Sequence, residues 1–271
     1  MIVQGTISKL RAEVKAPLAY VMPVGATQVP LQPGQHLRLR AMGSIRCLHC
    51  QRATRKSYNQ GYCYVCFTKL AACDMCIMRP EQCHFAAGTC REPVWGEQHC
   101  MVPHVVYLAN SSGVKVGITR QTQVPVRWID QGASAALPLF QVGSRLHSGL
   151  IEVALAQHVA DKTQWQAMLR GQPEPVDLVG RAEQLMQLCA RELADLESRF
   201  PGDRVNLVPQ VQHFEYPVLR YPTKVKALSL DTQPEIEGLL EGIKGQYLLL
   251  DTGVFNVRKH TSYDIEMEVG A

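Results

Sequence analysis

The chain contains ten cysteines, and nine of them fall between Cys47 and Cys100. They run Cys47-x2-Cys50, then twelve residues, Cys63-x2-Cys66, Cys73-x2-Cys76, Cys83, Cys90 and Cys100. Two residues between thiolates let one tight turn aim both sulfurs at a single ion. Two such knuckles in succession predict a zinc-ribbon-like, four-thiolate site at Cys47, Cys50, Cys63 and Cys66. Cys73, Cys76, Cys83 and Cys90 are expected to close a second site, in which Cys100, His84 or His99 can each replace one ligand. A cross-braced arrangement, with Cys47 and Cys50 sharing an ion with Cys73 and Cys76, satisfies the same spacings. Thiolates also hold iron–sulfur clusters, so an iron–sulfur or redox protein is one alternative reading of the second group. Haem attachment is excluded, because no Cys-x2-Cys is followed by His.

The two expected Zn²⁺ ions are read as structural. Arg46 to Gln60 has few aliphatic residues and cannot bury enough surface to fold alone. Metal binding of about 10–16 kcal/mol apparent free energy supplies the missing core. Cys189 stands apart in an apparent helix and is expected to be a small buried residue.

A second chemistry is suggested by "VVYLANSSGVKVGIT", Val105 to Thr119. Ser111-Ser112-Gly113 suits a three-residue hairpin loop, and that register pairs Leu108 with Val116 and Val106 with Ile118. One face is then aliphatic, apart from Asn110. The other face carries Tyr107, Ala109, Lys115, Gly117 and Thr119, a phenol and an ammonium beside a glycine that would admit a ligand to the backbone. The basic stretch from Arg38 to Arg79 holds Arg38, Arg40, Arg46, Arg52, Arg55, Lys56, Lys69 and Arg79 against one acid, Asp74. It is threaded with Tyr58, Tyr62, Tyr64 and Phe67, a composition suited to phosphate contact and base stacking.

The order "VYL", "KVGIT", Arg127, Glu152 resembles the GIY-YIG nuclease superfamily, in the branch where lysine replaces the second motif's tyrosine. The resemblance covers about Val105 to Val159. It implies a small three-stranded sheet with helices and a phosphodiesterase site. In that site Tyr107 would act as general base, Lys115 would bind phosphate or assist the tyrosine, and Arg127 would clamp the phosphate. Glu152 would hold Mg²⁺ or Mn²⁺. The stretches "RKSYNQGYCYVCF", "PEQCHFAAGTCREPVWG" and "GIKGQYLLLDTGVFNVRK" are similar to a bacterial family of unknown function.

These residues need a frame to position them. "IVQGTISKL", "LAYVMPVG" and "HLRLRA" read as strands, as do "VKALSL", "QYLLLDTGVFNVRK" and "SYDIEMEV". Neither end has enough strands for a sheet of its own, so both are expected to pair. The fold class is therefore α+β, with a split β-barrel or sandwich built from residues 1–45 and 205–271. Residues 46–104 form a two-site zinc module, and 105–204 a GIY-YIG-like αβ core with trailing helices. Helices are expected near Val126 to Gly132 and over Gly149 to Val159, the latter capped at Ser148 with Glu152 in its first turn. A strand lies around Leu137 to Val142. A longer helix follows over "DLVGRAEQLMQLCARELADLESRF", with Leu185, Leu188 and Leu193 as its apolar stripe.

The 271 residues are 46% hydrophobic and 19% charged, an ordinary balance for a globular chain. The opening "MIVQGTISKLRAEVKAPLAY" has no uninterrupted apolar stretch, and no later segment is long enough to span a bilayer. No membrane association is expected, and the cytoplasm is the expected location. A formal net charge of +4 does not by itself imply a polyanionic partner. The local basic excess and the motif residues do, and DNA or RNA is the expected partner. The alternative is a binding module for nucleic acid or nucleoprotein without catalysis.

Overall fold

The computed structural model describes residues 1–159 and 164–270. Strands from both ends of the chain share one sheet. Ile2–Thr6 pairs antiparallel with Tyr263–Val269, which pairs with His36–Arg46, which in turn pairs with Glu235–Lys244. The order continues through Tyr247–Leu250, Gly253–Asn256 and Ala227–Leu228, and Ala53–Thr54 adds to His36–Arg46. This eight-stranded sheet ends on open edges at Ile2–Thr6 and Ala227–Leu228, so the expected barrel does not close. A three-stranded sheet of Arg11–Glu13, Ala19–Val24 and Thr27–Leu31 shares its core: Met22, Val29 and Leu31 are buried in one cluster with Leu37, Ile265 and Met267.

Glu235–Lys244 is absent from the strand pattern read in the sequence. Its first half alternates, but Leu240 to Lys244 is buried throughout, which erases the period of two. Three of the eight cations expected to offer a basic surface are paired on this sheet. Arg38 pairs with Glu235 at 3.1 Å, Arg40 with Glu266 at 2.5 Å and Arg46 with Asp264 at 3.1 Å. Their partners lie about 200 residues away in sequence, so a local charge count misses them.

The second sheet has the order Val205–Asn206, Ala135–Val142, His104–Asn110, Val114–Arg120, with Gln212–His213 also on Ala135–Val142. The hairpin forms in the expected register, Leu108 opposite Val116 and Val106 opposite Ile118. Val106, Leu108 and Val116 are buried against Ile151, Leu155, Leu185 and Leu193. The other face is not wet, as its residue types suggested. Val105, Tyr107 and Ala109 join Trp128 and Phe214 in the cluster that also holds Leu240, Ile243 and Phe255. The central strand is buried at every position, whereas the edge strand Val114–Arg120 is partly exposed.

The helices follow the sequence with two corrections. Val126–Asp130 and Arg145–Ala156 are helical, but the latter is capped by Ser144, whose side chain accepts from His147 N–H. Ser148 lies inside the helix and donates to the Arg145 carbonyl, so Glu152 sits two turns in, away from the helix N-terminus. The long helix is two, Leu178–Leu188 and Ala190–Arg199, meeting at the fully buried Cys189. Asp177 caps the first through Val179 and Gly180 N–H. Of the expected apolar stripe, Leu185 and Leu193 are buried, while Leu188, at the end of the first helix, is exposed. No described helix is long and apolar enough to cross a membrane.

The Arg145–Ala156 helix also meets the turn Pro80–Gln82 of the cysteine-rich segment, and Gly149 sets the distance. A Cβ at Gly149 would lie 2.4 Å from Glu81 N and 2.5 Å from the Pro80 carbonyl carbon. Both are backbone atoms that cannot swing aside. Gly149→Ala is therefore expected to destabilise the protein by about 1–3 kcal/mol, the usual cost of overpacking, read as a lower midpoint in denaturant unfolding.

Candidate functional site

Cys47, Cys50, Cys63 and Cys66 come together as the first pair of knuckles predicts, their sulfurs all within 4.8 Å of one another. Cys47 and Cys50 lie on one turn. Cys63 stands at the N-cap of the Tyr64–Lys69 helix, which puts Cys66 on its first turn. Cys50 and Cys63 Sγ are 3.8 Å apart, close to the ~3.8 Å edge of a tetrahedron with ~2.3 Å zinc–sulfur bonds. Burial opposes ionisation of Cys47, yet backbone N–H groups of Cys50, Cys63 and His49 bring its thiol down to about 6. The donor set, spacing and polarity fit a zinc ion, and the tetrad could hold one.

The remaining cysteines of the module divide differently from the expectation. Cys73 is directed toward Asn59 and the first tetrad. Cys76, Cys83, Cys90 and Cys100 line a separate small cavity. The aromatic residues of the knuckles pack largely on one another: Tyr58 stacks on Phe67 at 5.6 Å and meets Tyr64 edge-on at 5.5 Å.

Between this module, the edge strand and the large sheet lies a cleft of about 910 Å³. Three of the four residues singled out with the hairpin line it: Lys115, Arg127 and Glu152. Tyr107 lies just beneath. Its ring is fully buried, and its hydroxyl donates to Gln131 Oε1 at 3.1 Å. Gly117 is there for this ring, because a Cβ would fall 2.7 Å from Tyr107 Cζ and Oη. The glycine thus makes room for the tyrosine rather than for a ligand. Burial and the nearby Glu152 push the Tyr107 phenol up to about 12, against the pull of Arg127 and Gln131. A general base at neutral pH needs the opposite shift.

Charge dominates the cleft. Lys9, Lys115, Arg120, Arg127, Arg145 and Arg258 line it, against Asp130 and Glu152. Asp130 is committed, pairing with Lys9 at 3.0 Å and accepting from Gln246 Nε2 at 2.8 Å. Burial and Arg145 pull Arg120 below its usual range, and burial and Arg127 do the same to Arg258. Two arginine couples thus face one space, a strain that an anion relieves. The divalent ion expected at Glu152 fits poorly. With Asp130 occupied, one carboxylate would have to hold it among five cationic side chains, and that donor set does not retain Mg²⁺ or Mn²⁺ by itself.

Four of these cations were not singled out in the sequence. Arg145 donates to the Cys76 and Ile77 carbonyls at 3.2 and 2.7 Å, which fixes it against the cysteine module. Arg258 donates to Gln60 Oε1 at 2.6 Å. Lys9, Arg120, Arg145 and Arg258 come from separate elements, and no local spacing marks them as a group.

The family described as "Protein of unknown function (DUF2797)" matches residues 34–265. No curated protein and no solved structure matches the chain.

The tetrad makes a direct demand on composition. Cys63→Ser is expected to remove one equivalent of bound zinc and to lower the thermal midpoint, checked by elemental analysis and calorimetry of the same preparations.

Proposed function

The chain belongs to the DUF2797 family, and we propose that it is a zinc-containing protein that binds the phosphate backbone of DNA or RNA in the cleft between the cysteine module and the edge strand. The observation that carries this reading is the gathering of Lys115, Arg120, Arg127, Arg145 and Arg258 on one cleft, where the acids are too few to neutralise them. Arginine forks suit phosphate oxygens, and four of them with a lysine exceed what one small anion can satisfy. The strand edge from Lys115 to Arg120 gives the cleft a long wall, suited to a chain of phosphates. Tyr62 on the opposite wall offers a ring for a base. The tetrad holds the knuckles in shape and thereby places Gln60 against Arg258 and Tyr62 at the cleft.

A second reading, hydrolysis of the bound phosphodiester, is favoured by one observation. Tyr107, Arg127 and Glu152 act on one another electrostatically at the cleft floor. The antiparallel arrangement of His104–Asn110 between Val114–Arg120 and Ala135–Val142 also accords with the three-stranded sheet that the GIY-YIG resemblance implies. In this reading Arg127 clamps the phosphate, Glu152 accepts the proton of the attacking water, and Tyr107 stays protonated with its hydroxyl held by Gln131.

The backbone reading predicts how affinity responds to salt. Log affinity should fall linearly with log salt concentration, and Arg127→Ala or Arg258→Ala should each flatten the slope by about 0.7–0.9, whatever the sequence. Affinity that is indifferent to salt would exclude phosphate contact as the source of binding. Hydrolysis is tested by incubating the protein with DNA and RNA in Mg²⁺ or Mn²⁺. Glu152→Gln should abolish cleavage while leaving binding in place, and equal cleavage by both proteins would assign the activity elsewhere.

A further inference from the structure

We infer that Cys76, Cys83, Cys90 and Cys100 form a second four-thiolate metal site, for an ion of the zinc class, separate from the tetrad and independent of what the cleft binds.

The segment from Ala71 to Cys100 is inverted relative to an ordinary core. Its elements are one-turn pieces, Ala71–Cys73, Met75–Ile77 and Pro80–Gln82, followed by the short helix Pro93–His99. Large apolar side chains point outward: Met75 is 61% exposed, Met78 75% and Val94 69%. The thiols point inward, with Cys76, Cys83 and Cys100 buried in a cluster whose other members are Phe85, Trp95 and Leu146. Three aromatic or aliphatic side chains do not hold thirty residues of irregular backbone together, whereas a metal centre does. None of the cysteines is in a disulfide.

The ligand set follows from the lining of one cavity: Cys76, Cys83, Cys90 and Cys100 all line it, and Cys83 and Cys100 interact side chain to side chain. Their sulfurs are spread more widely than those of the first tetrad, so binding an ion would draw them together. Cys90 reaches it because the Pro93–His99 helix approaches at a glycine. A Cβ at Gly96 would lie 3.1 Å from Cys90 Sγ and 2.6 Å from the Phe85 ring. Cys73 does not line the cavity.

The competing donors already have partners. Asp74 and His84 line the same cavity and, with Cys76, bring ligand atoms within 4.8 Å of one another. Asp74, however, accepts from Cys76 N–H at 3.1 Å and pairs with Arg91 at 2.7 Å. The His84 ring binds Thr89 Oγ1 through Nδ1 at 2.7 Å and faces Asp74 through Nε2 at 3.5 Å. His99 bonds the Trp95 carbonyl at 2.9 Å and stacks on the Trp95 ring. Cys100 therefore takes the place first expected of Cys73. A divalent ion in four thiolates carries a formal charge of −2, and Arg145, on the Cys76 and Ile77 carbonyls, lies beside it.

The test is metal stoichiometry on the full-length protein, with cadmium as a spectroscopic probe. Wild type and Cys73→Ala should each hold two equivalents of zinc, and Cys100→Ala and Cys83→Ala one. One equivalent in wild type, two in Cys100→Ala, or one in Cys73→Ala would overturn the assignment. Iron with acid-labile sulfide in place of zinc would overturn it too. Because these variants can misfold, ¹¹³Cd-substituted wild type gives the second measurement. Two resonances in the four-sulfur range are expected, and a single one, or one in a range with nitrogen or oxygen ligands, would overturn it.

Discussion

The contact between the Arg145–Ala156 helix and the cysteine-rich segment is the constraint on which the cleft depends. At Gly149 the helix touches backbone with no side chain between, and at its N-terminus Arg145 bridges to the Cys76 and Ile77 carbonyls. The Arg145 N–H also donates to the Cys100 carbonyl at 2.7 Å. One wall of the cleft is thus fastened to the helix that carries Glu152. A segment with its methionines outside cannot supply this rigidity by hydrophobic burial. The positions of Arg145, and through Gln60 of Arg258, are therefore inherited from how the cysteine module is held together.

The same dependence explains how like charges are tolerated. Arginines cannot discharge by losing a proton, so Arg120 beside Arg145 and Arg127 beside Arg258 repel whenever no anion lies between them. One of each couple is pinned, Arg145 by the Cys76 and Ile77 carbonyls and Arg258 by the Gln60 amide. Lys9 has a different fate, since its partner Asp130 is 6% exposed and is shared with Gln246. The cleft therefore gathers more cations than acids, while its Lys9–Asp130 pair is closed.

What the sequence made legible was local. The Cys-x2-Cys knuckles, the three-residue hairpin loop and the register of Leu108 with Val116 rest on spacings of a few residues, and each reappears in the structure. What escaped was set by distant parts of the chain. Arg38, Arg40 and Arg46 looked like a basic patch because Glu235, Glu266 and Asp264 lie so far along the sequence. That Cys76 and Cys100 line the small cavity while Cys73 does not turns on which way a 3-10 turn faces. The cleft was half legible. Lys115, Arg127 and Glu152 followed a motif order, while Arg145 and Arg258 are delivered by docking.

Tyr107 shows why motif residues and their roles must be separated. Alternation placed it correctly on the face opposite Leu108, but alternation says nothing about whether that face meets water. Here both faces of the sheet are covered, by the helices on one side and by the core shared with the large sheet on the other. A sheet covered in this way can expose only its rim, so polar work moves to the edge strand from Lys115 to Arg120 and to the side chains that overhang it. The tyrosine then becomes part of the floor. Gly117 is carved out for its ring, and its hydroxyl is held by Gln131 within the field of Arg127 and Glu152. A buried phenol in that setting resists losing its proton but gives one readily to a hydrogen bond. Its contribution to the cleft is therefore as a rigid support for the arginine beside it.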